Sequence, residues 1–149
     1  MAAIATTLNG AIATYPWQWQ GQTITITYET LGNGQPVLLL PALSTVSSRT
    51  ELTTLANHLA PDHRVTAIDW PGFGDSDRPP LGYQPDLYQQ FLKDFVTTQF
   101  SEPIIVIATG HGAGYALAMA DAWSKIVLIA PTWKGPLAAM GAPKPCAGA

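Results

Sequence analysis

Apolar positions along this chain recur with different periods, and each period predicts a different element. In Tyr15-Pro16-Trp17-Gln18-Trp19 the aromatics fall on every second residue. Gln20-Gly21 then reads as a turn, and Thr23 to Tyr28 alternates strictly, with Ile24, Ile26 and Tyr28 on one face. A period of two is that of a half-buried antiparallel strand, so these segments predict a hairpin. After Gly32-Asn33-Gly34 the alternation stops. Val37-Leu38-Leu39-Leu40 is an unbroken apolar run, which predicts a strand covered on both faces.

Helical spacing follows. Ser48 and Glu51 stand three apart, as in a capping box, ahead of Leu52, Leu55, Ala56 and Leu59. Val65 to Ile68 predicts another strand, Asp69 to Gly74 a loop, and Pro85 the first turn of a second helix. Tyr88, Phe91, Leu92 and Phe95 form that helix's apolar stripe. Ile104 to Ala108 reads as a buried strand, Gly110 to Gly114 as a tight turn, Ala113 to Ala122 as a small-residue helix, and Lys125 to Ala130 as a further buried strand. Strands alternating with helices predict βαβ units, hence an α/β fold with a mainly parallel sheet. From Pro131 onward the chain is rich in Pro, Gly and Ala, and no element is predicted.

Composition narrows the class. The 149 residues are 47% hydrophobic and only 11% charged, against about 25% charged in an ordinary soluble domain. This argues for one domain with an extensive core and against disorder. The net charge is −3 and there is no Lys/Arg cluster, so neither nucleic acid nor an anionic membrane is an expected partner. No apolar run approaches the ~18 residues of a membrane-spanning helix. Residues 1–14 lack the positive flank and apolar centre of a secretory signal. Cys146 is the single cysteine and can form no internal disulfide, which fits a cytoplasmic location.

The chemistry-bearing segment is Ile104-Ile105-Val106-Ile107-Ala108-Thr109-Gly110-His111-Gly112-Ala113-Gly114-Tyr115, a buried strand entering a helix through a glycine-flanked turn. It resembles the nucleophile elbow of the α/β-hydrolase superfamily, Gly-x-Ser-x-Gly, in which a strained turn lifts the serine above the sheet. Gly110, His111 and Gly114 match the elbow turn, whose glycines are expected where side chains would clash. Gly112 stands at the nucleophile position and has no side chain to attack with. Asp69-Trp70-Pro71-Gly72-Phe73-Gly74-Asp75-Ser76-Asp77-Arg78-Pro79 is similar to the loop after the fourth strand in the epoxide-hydrolase-like and haloalkane-dehalogenase-like branch. The resemblance covers roughly residues 15–137. It implies oxyanion-hole donors from the backbone of Ala42 or Leu43 and of Ala113. It also implies hydrolysis of ester or related bonds without a metal or organic cofactor. The Pro41-Ala42-Leu43-Ser44 loop departs from the His-Gly segment that the superfamily often carries there.

The superfamily's order is Ser, Asp/Glu, His, yet no His, Asp or Glu follows Trp123. His58, His63 and His111 do not stand where the base would. The expectation is therefore an inactive, pseudoenzyme-like chain with a partial domain at 15–137, an N-terminal extension at 1–14 and a tail at 138–149. Its sheet would end after about the sixth strand, leaving Ile126 to Ala130 as an open apolar edge. The expected partners are a small molecule, in a pocket near Leu43, Trp70 and Gly112, or a complementing chain covering that edge. Plainer roles suit the other candidates. Ser44, Ser47 and Ser48 read as loop and cap serines, Asp69 and Asp75 as loop caps or acceptors of backbone N–H, and Trp17, Trp19 and Trp133 as packing residues. Cys146 has no activating base beside it. A dinucleotide-binding turn at Gly110-x-Gly112 is a remote alternative. It fails at Tyr115, where a small residue is needed, and at Pro131-Thr132, where an acid is needed.

Overall fold

The computed structural model describes residues 8–44 and 46–131. Six strands form one sheet: β1 (Ala11–Trp19), β2 (Gln22–Leu31), β3 (Gln35–Leu40), β4 (His63–Ile68), β5 (Ile104–Thr109) and β6 (Trp123–Ile129), in spatial order β1-β2-β4-β3-β5-β6. β1–β2 and β2–β4 pair antiparallel, and the other neighbours pair parallel. This is the mainly parallel sheet with an N-terminal hairpin that the periods predict. Gln20 and Gly21 both have positive φ (47° and 78°), the two-residue hairpin turn whose twist matches the strands. β1 begins at Ala11, so the hairpin takes in part of the stretch read as an extension.

Three helices connect the parallel strands: α1 (Thr53–Leu59), α2 (Pro85–Gln99) and α3 (Gly112–Leu117). The crossover from β3 to β4 runs one way along the sheet, and those from β4 to β5 and from β5 to β6 run the other. Right-handed crossovers then place α1 on one face and α2 and α3 on the opposite face. The core divides accordingly. Trp17, Ile24, Leu38, Leu40 and Val106 pack with Phe91 and Phe95 of α2 and Ala116 of α3. Val37, Leu39, Val65 and Ala67 pack with Leu52 and Ala56 on the α1 side. The unbroken apolar run of β3 reflects this, since it is buried from both sides.

Four expectations need correcting. The first helix is preceded by a 3-10 turn, Arg49–Leu52, and Ser48 caps it by accepting from the Thr50 N–H at 3.3 Å. Glu51 does not close a capping box; its carboxylate reaches the Ala42 N–H instead, at 2.7 Å. β2 is not half-buried throughout, because Thr27 and Glu29 on its second face are buried as well. The third helix is shorter than read, six residues with a separate 3-10 turn at Ala120–Ala122, since the chain must bend to bury Trp123. β6 is not a buried strand: among the described residues it pairs with β5 alone, and Val127 and Ile129 are each 41% exposed. Among the described residues no helix is long and apolar enough to cross a membrane. Trp133, Cys146 and the 138–149 tail lie outside the described residues.

Candidate functional site

β3 and β5 are neighbours whose outgoing loops leave toward opposite faces, α1 on one side and α3 on the other. Such a switch point opens a crevice at the carboxyl ends of the strands, where α/β proteins bind ligands. The crevice walls are Pro41-Ala42-Leu43 after β3 and Gly110-His111 after β5. Thr109 joins them by donating its hydroxyl to the Leu40 carbonyl at 3.0 Å. On the far side, the Gly110 N–H donates to the Ile129 carbonyl at 3.1 Å.

The turn differs from the expected elbow in its backbone. Gly110 carries the left-handed conformation (φ +51°), and a Cβ there would lie 2.9 Å from the Ala42 Cβ. Glycine is needed at that position on both counts. Gly112 has no left-handed backbone and opens α3. A Cβ on it would point inward, 2.9 Å from the Pro41 carbonyl oxygen and 3.6 Å from the Trp70 ring. Position 112 is thus directed at the core rather than lifted above the sheet. Gly114 faces open space, so no clash demands glycine there.

Two of the backbone N–H groups read as oxyanion donors, those of Ala42 and Ala113, are engaged within the chain. The Ala42 N–H donates to Glu51 Oε1, and the Ala113 N–H closes a turn onto the Gly110 carbonyl at 3.3 Å. Leu43 is buried. Where a pocket was expected near Leu43, Trp70 and Gly112, Trp70 is fully buried, packs against Tyr88, Phe91 and Tyr115, and donates its Nε1–H to the Pro41 carbonyl at 2.8 Å. Burial pushes the Tyr88 and Tyr115 phenols upward, so both stay protonated. Open space also lies on the α1 side. A groove of about 650 Å³ is bordered by Ala42, Glu51, Leu55, His58, Gly110 and Ile129, among others. Burial raises the Glu51 carboxyl above its ordinary range, against hydrogen bonds from Ala42 and Ser47 that lower it.

Charge concentrates beneath the crevice. Arg49, 1% exposed, donates Nε–H to Glu29 Oε1 at 2.9 Å and Nη1–H to Asp69 Oδ2 and to Asp75 Oδ2, the last at 3.0 Å. Glu29 and Asp69 are fully buried, and Asp75 is 45% exposed. Glu29 Oε2 also accepts from the backbone of Leu8 and Gly10, both at 2.7 Å. Asp69 accepts from the backbone of Arg49 (2.7 Å) and Asp75 (3.0 Å), which is the loop-organising role read for it. Burial disfavours the Arg49 charge, but Glu29, Asp69 and Asp75 outweigh it and hold the guanidinium above its ordinary pKa. Glu29 and Arg49 were not singled out from the sequence, and Glu51 was read only as a capping residue. Glu29 sits on the supposed solvent face of β2, and no local pattern marks it as buried.

The remaining candidates are spread out. Ser44 and Ser47 bond each other at 2.7 Å, as loop serines do. His58 is exposed on α1, His63 Nδ1 lies 3.3 Å from the Leu59 carbonyl, and His111 is half-buried directly before α3. Among the described residues no three His, Cys, Asp or Glu side chains group as metal ligands.

Against known proteins, residues 37–148 match the model of the Alpha/beta hydrolase family. A Synechocystis sp. protein named "Putative non-heme chloroperoxidase" is 31% identical over 97 residues, 65% of this chain and 35% of that protein. An α/β hydrolase from Sphaerobacter thermophilus superposes with a TM-score of 0.63 at 28% identity, covering 78% of this chain and 44% of its own. A "probable hydrolytic enzyme" from Pseudomonas aeruginosa PAO1 superposes with a TM-score of 0.74 at 21% identity, covering 92% and 46%. The chain thus spans half or less of the length of these relatives.

Proposed function

The chain belongs to the α/β-hydrolase family, and we propose that it is a catalytically silent member acting as a non-catalytic module that binds a small molecule. The observation that carries this reading is position 112. The residue there is glycine, its backbone is not left-handed, and a side chain on it would meet the Pro41 carbonyl. Acyl transfer needs a nucleophile held within reach of a base and facing free oxyanion donors. Here the nucleophile position is empty of chemistry, and the Ala42 and Ala113 N–H groups are already bonded. The hydrolytic activities that name the relatives are theirs and are not carried over.

A second reading rests on β6. Its outer edge is unpaired within the described sheet and its apolar side chains are exposed, so a complementing chain could extend the sheet there. Cytoplasmic location belongs to the same proposal, supported by a lone cysteine that requires no oxidising compartment.

The test is turnover of p-nitrophenyl esters together with labelling by a serine-directed fluorophosphonate. No turnover above a mock preparation and no labelling are expected, and Gly112→Ser alone should restore neither. Ester turnover that exceeds the mock and is lost on His111→Ala would overturn the proposal.

A further inference from the structure

We propose that the groove between α1 and the carboxyl ends of β5 and β6 binds a small organic cation, a protonated amine on a compact hydrocarbon body, with the Glu51 carboxylate as its counter-charge. This gives a ligand class to the binding role proposed above, and it rests on that reading.

The groove's volume, about 650 Å³, falls in the range of small-molecule sites, which are mostly apolar with a few placed polar groups. Leu52, Leu55 and Ile129 supply apolar walls, and Glu51, His58 and Thr109 supply the main polar ones. Glu51 is held in place by two neutral donors, the Ala42 N–H at 2.7 Å and the Ser47 hydroxyl. None of the lysines or arginines in the described residues, Arg49, Arg64, Arg78, Lys93 and Lys125, borders the groove. The ion pairs among the described residues all belong to Arg49 and its other three carboxylates. Glu51, exposed at the rim, therefore borders an apolar groove without a cation from the described chain, and partial desolvation raises its carboxyl above the ordinary range.

An arriving ammonium is attracted by that carboxylate, whereas a neutral ligand gains nothing from it and an anion is repelled. A bare metal ion suits the groove poorly, because one carboxylate among aliphatic side chains gives it too few oxygen ligands. The apolar walls call for a hydrocarbon body, and the single carboxylate for one positive charge. Thr109 and His58 remain as hydrogen-bonding groups beside it. The position also connects the groove to the crevice: the Ala42 N–H that would face a substrate oxygen in a hydrolase is here the support of the cation's counter-charge.

The experiment is a binding titration of the intact chain, by calorimetry and amide NMR shifts, with three probes of one shape: cyclohexylammonium, cyclohexanol and cyclohexanecarboxylate. Cyclohexylammonium should bind at least ~10-fold more tightly than cyclohexanol, with shifts at Leu52, Leu55, Thr109 and Ile129, and the carboxylate should not bind. Glu51→Gln keeps an oxygen for the Ala42 N–H, so the fold is retained, and it should bring the ammonium down to the level of the alcohol. Leu55→Trp fills the groove and should weaken both. Equal binding of ammonium and alcohol, an unchanged ammonium affinity in Glu51→Gln, shifts confined to another face, or no binding would each overturn the inference. Ester turnover is read separately, so loss of this inference and loss of catalytic silence are distinct results.

Discussion

Arg49→Met removes the guanidinium from a buried cluster of carboxylates, and its cost follows from the geometry. Arg49 Nε and Glu29 Oε1 are 2.9 Å apart with both groups buried, and the Asp69 contact is equally enclosed. At an effective dielectric constant near 20, each such pair attracts by roughly 6 kcal/mol. Removing three ions from water costs several kcal/mol apiece, so the intact network contributes little net stability. Taking away the guanidinium alone is different. Two fully buried carboxylates then lose their guanidinium partner, which costs about 3–5 kcal/mol. The Asp75 contact adds little, because that carboxylate is 45% exposed and screened. Against a total stability of about 5–15 kcal/mol, the melting midpoint should drop by about 6–20 °C. Urea unfolding at pH 7, followed by tryptophan fluorescence and circular dichroism, measures it. The double variant Arg49→Met with Glu29→Gln should recover ~1–2 kcal/mol, since one orphaned charge is gone while an oxygen remains for the Leu8 and Gly10 N–H groups. A loss below ~1 kcal/mol in the single variant, or a double variant less stable than the single, would refute this reasoning.

Gly74→Ala should lower stability by about 1–3 kcal/mol, because φ is +51° there and the new Cβ would collide with the Asp69 carboxylate; a melt matching the parent would contradict it. Gly112→Ala should cost about 1–3 kcal/mol by overpacking against the Pro41 carbonyl, read from the urea midpoint, and an unchanged midpoint would mean the backbone yields freely. Trp70→Phe strands the Pro41 carbonyl as well as losing ring area, so a loss of ~2–4 kcal/mol is expected in the same assay. Glu51 gives a pH signature. Its carboxyl is raised in the folded chain, so between its ordinary value of 4.5 and the raised one the folded state holds more protons than the unfolded. Its contribution to stability therefore falls as pH rises through that window. Relative to the parent, Glu51→Gln should gain in stability from pH 4 to pH 7, and a gain in the opposite sense would show the sign to be wrong.

Local patterns determined much of the fold. The aromatic alternation at 15–19, the Gln20-Gly21 turn, the apolar runs of β3 and β5 and the Phe91/Phe95 stripe each carry their period within a few residues. A period is a property of the chain before it folds. The identity of position 112 was equally legible. Tertiary structure alone decided the rest. Glu29 looks solvent-facing by alternation and is buried because Arg49, twenty residues away, and the backbone of Leu8 and Gly10 close over it. Glu51 has capping-box spacing yet bonds Ala42 nine residues back, because a 3-10 turn aims its side chain toward the end of β3. Gly112 keeps the motif spacing while the left-handed backbone sits at Gly110, pressed against Ala42. In each case the partner is set by how strands and loops from distant parts of the chain meet at the carboxyl ends of β3 and β5. Neither spacing nor propensity encodes that meeting; the packing of the sheet and its two helical layers does.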